Sequence, residues 1–178
     1  TAQHTTTKVY LEFARTLSFD KEVNADAQIL VGDVVFRHDS SYMYCDSAYF
    51  YETTNSLEAF SNVRMEQGDT LFVYGDYLFY DGNEEIAYLR DNVRMENRQV
   101  TLFTDSLNYE RISNIGYYFE GGLLVDSLNQ LSSFYGQYSP ATKMTVFNDS
   151  VRLENENFTL YSDTLHYNTD SKIATILG

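Results

Sequence analysis

The stretches Ser61–Glu66 (SNVRME) and Asp91–Glu96 (DNVRME) share five of six residues at an offset of 30. Their neighbours repeat too, and that repetition limits what the chain can fold into. A second column runs through CDSAYFY, GDYLFYD, TDSLNYE and SDTLHYN, with Asp46, Asp76, Asp105 and Asp163 in the shared place. Arg15 in RTLSFD and Gly136 in GQYSPA extend it as fainter copies, giving steps of 31, 30, 29, 31 and 27. The first column holds Val34, Val63, Val93, Leu123 and Val151, with steps of 29, 30, 30 and 28. Two interleaved columns with one period identify a repeated supersecondary unit rather than an isolated motif.

Inside each unit the period is two. Val63 and Met65 alternate with Arg64 and Glu66, and Val93/Met95 and Val151/Leu153 do the same with their charged neighbours. Asp76, Leu78 and Tyr80 share a parity opposed by Tyr77 and Phe79. Leu30, Ala59, Leu89, Phe119 and Phe147 lie four residues before the valine column, on its face. This alternation reads as strands with one buried face. Clusters of Asn, Asp, Gly and Ser recur about every fifteen residues, where turns need them. The expected fold is therefore all-β, with about twelve strands of nine to eleven residues and no helical segment. A parallel β-helix could show the same period, but short polar turns favour antiparallel neighbours joined by hairpins. No domain boundary is visible, so residues 1–178 read as one domain.

The composition narrows the function. Twelve basic against 26 acidic residues give a net charge of −14, which disfavours nucleic acid and electrostatic docking on anionic membranes. Sixteen Tyr and twelve Phe argue for a folded β protein despite the acidity. Cys45 is the only cysteine, so no internal disulfide exists. No apolar run reaches the length of a membrane helix. The polar start, TAQHTTTK, fits a chain whose leader has been removed.

The units, best seen in YGDYLFYDGNEEIAYLRDNVRME (74–96) and YCDSAYFYETTNSLEAFSNVRME (44–66), resemble the OstA/LptA family of lipopolysaccharide-transport proteins. The Tyr-rich strands are most similar to OstA-like proteins of the Bacteroidetes, and the resemblance runs from about Val9 to Gly178. It implies an extended antiparallel β-jelly roll in the periplasm, with an apolar interior that receives acyl chains. It also implies partners: lipopolysaccharide or a related lipid, other envelope transport proteins at the open sheet ends, further copies stacked head to tail, and association with the outer membrane. Ile176–Leu177–Gly178 overlays Leu30–Val31–Gly32, just before a valine-column strand. The chain is therefore expected to continue past Gly178.

On this reading the lipid-binding stripe comprises Val63, Met65, Leu78, Tyr80, Val93, Met95, Leu107, Tyr109, Leu165 and Tyr167. A period-two apolar stripe is equally what an ordinary filled core looks like, and the alternative function is an envelope scaffold or interaction module with such a core. The repeated Asp46, Asp76, Asp105 and Asp163 are assigned a structural role, bonding backbone groups where strands bend. Calcium rolls repeat Asp at far shorter spacing with paired glycines. Arg64, Arg94 and Arg152 each have Glu two residues on, the pattern of a solvated charged face rather than a head-group site. Cys45 reads as a packed thiol, and His4, His38 and His166 are too scattered for zinc or a triad. No catalytic residue, metal or cofactor is assigned. A sugar-active enzyme would need paired carboxylates that cannot be placed here.

Overall fold

The structure is a computed structural model that describes residues 6–177; His4 and Gly178 lie outside them. Fifteen strands join into one antiparallel sheet. β1 (Tyr10–Phe13) and β2 (Thr16–Ser18) both pair with β3 (Gln28–His38). β4 (Ser41–Tyr51), β5 (Ser56–Gln67), β6 (Leu71–Asp81), β7 (Ile86–Asn97) and β8 (Val100–Glu110) follow as a meander. β9 (Ile115–Tyr118) and β10 (Gly122–Val125) both pair with β8. β11 (Gln130–Ser133) and β12 (Tyr135–Tyr138) both pair with β13 (Met144–Glu154), and β14 (Thr159–Asn168) and β15 (Ala174–Ile176) complete the order. Eight strands run unbroken for ten to twelve residues. Three broken pairs (β1/β2, β9/β10, β11/β12) and β15 fill the other places, so fifteen segments occupy twelve positions. The antiparallel roll holds, and the β-helix does not.

Each long strand bends at its middle, and the repeated hexapeptide marks the bend. Phe60 pairs with Tyr77 and Val63 with Gly75, so Ser61 and Asn62 together face Asp76 alone. Both are left-handed, at φ 66° and 52°. The same two-against-one bulge sets Gly32–Asp33 against Asp46, Asp91–Asn92 against Asp105, and Asp149–Ser150 against Asp163. An extra residue kinks a strand and sharpens its twist, and Asn, Asp and Gly tolerate the left-handed region best. Asp46, Asp76 and Asp105 bond across the bends. Asn62 Nδ2 donates to Asp46 Oδ2 at 2.7 Å and Asn92 Nδ2 to Asp76 Oδ2 at 2.6 Å. The Asn92 backbone N–H donates to Asp105 Oδ1 at 3.0 Å. At the first bend the charges change places: Arg15 forms an ion pair with Asp33.

The bends fold the sheet into two facing arms with a shared core. One arm carries the valine-column half-strands, the other the half-strands that follow each Asp. The buried parity changes at each Asp, so the exposed Asp76 does not face inward with Leu78 and Tyr80. Pairing also corrects three places in the repeat. Phe134, not Gly136, faces Asp149–Ser150, which makes the later steps of that column 29 and 29. Gly122, not Leu123, faces Thr104 as Val93 does, and Tyr118, not Phe119, is the buried member of the column upstream. Two adjacent glycines allowed a one-residue slip, and such a slip exchanges the two faces of a strand.

Tyr118 explains why glycine is used there. A Cβ on Gly122 would lie 2.6 Å from its ring, and one on Gly136 2.4 Å. These are the places of Val93 and Leu107 in neighbouring units. One aromatic ring fills the space of two missing side chains, and its hydroxyl bonds Ser133 Oγ at 2.6 Å. Cys45 is buried beside Val34 and Val63, and burial pushes its thiol up to about 12.

Candidate functional site

The ten stripe residues form two facing walls. Val63, Met65, Val93 and Met95 come from the first arm; Leu78, Tyr80, Leu107, Tyr109, Leu165 and Tyr167 come from the second. None exceeds 2 % exposure. In this structure the interior is packed shut.

Where the arms' free ends meet, a ladder of side-chain hydrogen bonds closes the mouth. The second arm supplies Tyr80, Tyr109, Tyr138 and Tyr167, one every 29 residues. The first arm supplies His38, Gln67, Asn97 and Asp126, each four residues after its valine-column place. The Tyr80 hydroxyl lies 2.6 Å from His38 Nδ1, whereas the Tyr109 hydroxyl donates to Asn114 Oδ1 in the turn after β8, with Gln67 facing it from the other arm. Asn97 Nδ2 donates to the Tyr138 hydroxyl at 3.2 Å. The Tyr167 hydroxyl donates to Asp126 Oδ2 and accepts from Asn129 Nδ2 at 3.0 Å. Burial raises all four phenols, Tyr80 and Tyr109 to about 12. Each stays a neutral hydroxyl near neutral pH. In the first unit Phe50 takes the tyrosine place and packs edge-on against Phe36 at 5.3 Å. With Phe134 rather than Gly136 in the Asp place, Tyr138 falls four residues on, like the other tyrosines.

The first rung is part of a buried polar network. Arg111 Nη1 donates to the Tyr80 hydroxyl at 2.7 Å and lies 3.1 Å from His38 Nδ1. Because a guanidinium only donates, His38 Nδ1 is the acceptor, and its Nε2–H donates to the Thr7 carbonyl at 3.1 Å. Burial first, then the Arg111 charge, lowers the His38 pKa and keeps the ring neutral. His38, Asp39 and Glu85 place possible ligand atoms within 4.8 Å of one another. Arg111 sits 3.6 Å from Glu85 and supplies the positive charge a cation would bring there. At the fourth rung, burial alone would raise the Asp126 carboxyl. The Tyr167 hydroxyl, the Asn129 and Leu128 N–H groups and Lys172 outweigh that and hold it below its ordinary value.

The repeated arginines lie on the outer face of the first arm. Arg64, Arg94 and Arg152 pair with Glu66, Glu96 and Glu154 at 2.9, 2.8 and 3.0 Å. Arg64 and Arg94 also stack over Tyr44 and Tyr74 at 4.2 and 4.3 Å. His166 lies on β14 between the buried Leu165 and Tyr167, far in sequence and register from His38.

Comparison with known proteins agrees with this architecture. LptH from Pseudomonas aeruginosa, described as the LptA homologous periplasmic component of the conserved lipopolysaccharide transport device, matches with a TM-score of 0.54. The match covers 60 % of this chain and 80 % of that one at 14 % identity, and at that identity it shows a shared fold, the LptA-like jelly roll. No curated protein matches the sequence. Residues 6–163 match the family described as OstA-like protein. That match spans all the corners and the whole closing ladder except Tyr167, and the chain belongs to the family of OstA-like proteins.

Proposed function

We propose that this chain binds lipopolysaccharide or a related lipid in the periplasm and passes it toward the outer membrane, with no covalent step. Acyl chains would lie between the two arms. The observation that carries the reading is a continuous apolar wall on each arm, meeting at a mouth closed by side-chain hydrogen bonds. Acyl chains need only apolar area, at about 25 cal/mol per Å² buried. The bonds at the mouth can be exchanged for bonds to water, at a net cost of about 0.5–1.5 kcal/mol each. The arms can therefore part without leaving buried polar groups unsatisfied. At the two ends of the roll, β1 and β2 pair with β3 and β15 pairs with β14. Edges of this kind accept another strand, which suits head-to-tail stacking or docking to other envelope transport proteins.

The full burial of the stripe favours a second reading, a scaffold or interaction module with a filled core. Photo-crosslinking separates the two. A benzophenone side chain at Met95 or Leu107 should capture lipid in cells, and one at the outward Arg64 should not. Folded Met95 and Leu107 variants that yield no lipid adduct would leave the scaffold.

A further inference from the structure

A cavity of about 350 Å³ opens at the mouth over the Tyr138–Asn97 rung. Arg98 lines it from one lip, and Lys143 and Lys172 line it from the other, against one carboxylate, Asp170. Three of the chain's twelve basic residues thus converge on one hollow in a chain with 26 acids. Most other cations are already paired: Arg15 with Asp33, Arg37 with Glu12, Arg111 with Glu85, and the outer-face arginines with their glutamates. Lys172 reaches Asp126 at 3.3 Å, but among the described residues Arg98 and Lys143 form no ion pair. The Asn97 amide and the Tyr138 hydroxyl floor the hollow, and Met95 lies two residues from Asn97 on the apolar wall.

We infer that this hollow is an anion site for a phosphate-type group, and that it holds such a headgroup at the lip while the attached chain lies between the arms. The second half of the inference rests on the lipid reading above. A phosphate monoester carries a charge of about −1.5 to −2 at neutral pH and three acceptor oxygens. Arg and Lys from opposite lips supply the matching donors and charge. A bound anion bridges the two lips, so one ligand both selects the headgroup and steadies the mouth around the chain that passes it.

The test exploits the backbone. Arg98 and Lys143 are left-handed, at φ 58° and 66°, a conformation that Asn tolerates. The double variant Arg98→Asn/Lys143→Asn therefore removes both unpaired charges and leaves Lys172 on Asp126. Titration calorimetry of the whole chain at low salt would use inorganic phosphate, dodecyl phosphate and dodecyl maltoside. The expected result is that dodecyl phosphate binds more tightly than either other probe and loses about tenfold in the double variant. Dodecyl maltoside should bind both proteins alike, and the melting midpoint should not move. If inorganic phosphate binds as tightly as dodecyl phosphate with the same loss, the site stands and the headgroup assignment falls. Equal binding of dodecyl phosphate by both proteins overturns the site while leaving the lipid reading intact. Binding of phosphate but of neither amphiphile overturns the lipid reading and keeps the site.

Discussion

Asn97 donates to the Tyr138 hydroxyl across the mouth of the roll, at 3.2 Å, and both residues are nearly free of solvent. Tyr138→Phe should cost about 1–2 kcal/mol in urea unfolding, because the Asn97 amide loses its acceptor while still buried. A double-mutant cycle with Asn97→Ala should return a coupling of about 0.5–1.5 kcal/mol. A coupling near zero would mean that this rung contributes nothing to closure.

Asn92 combines a left-handed backbone with a bond to Asp76 at one corner. Asn92→Ala should destabilise by about 1–3 kcal/mol through both losses. Asn92→Gly should recover the backbone part, so glycine should prove the milder change in thermal or chemical denaturation.

The ring of Tyr118 occupies the space over Gly136 and Gly122. Gly136→Ala drives a Cβ into that ring and should cost about 1–3 kcal/mol as overpacking. Adding Tyr118→Leu should recover part of the loss. If the double variant is less stable than Gly136→Ala alone, the ring is not the obstacle.

Two mouth residues predict how stability depends on pH. His38 has a lowered folded pKa, so the unfolded chain binds its proton first as pH falls. Its contribution is complete above about 6.5 and is lost as pH falls toward the lower folded value. Asp126 is also held below its ordinary value. Its contribution is complete above about 4 and is lost in stronger acid. Denaturant midpoints should therefore be flat above neutrality and fall in two stages. His38→Gln should flatten the first stage, and Asp126→Asn the second.

The twelve strand places, the antiparallel order and the stripe could be read from the alternation and the turns, because those patterns are local. The corner geometry was half legible. The SN and DN pairs were visible as repeated letters, but only pairing shows them standing two against one beside Asp76 and Asp105. The slip at Gly121–Gly122 was unreadable because glycine carries no face, and the compensating ring belongs to Tyr118, whose burial depends on residues far along the chain. Tyr138, Arg98, Lys143 and Lys172 were missed for a related reason. Each sits at a strand end or in a turn, and the partner that gives it meaning arrives from the opposite lip.

The spacing of the corners also says how a chain of this kind can change in size. From Asp33 through Asn62, Asn92 and Gly121 to Ser150, each left-handed corner residue follows the last after 29 or 30 residues. Removing or duplicating one such interval would return every side chain to its own face and every tyrosine to a partner of the same kind. Removing a single residue between corners would turn that half-strand inside out. Length here can vary in whole units, while the interior wall tolerates almost no change in count.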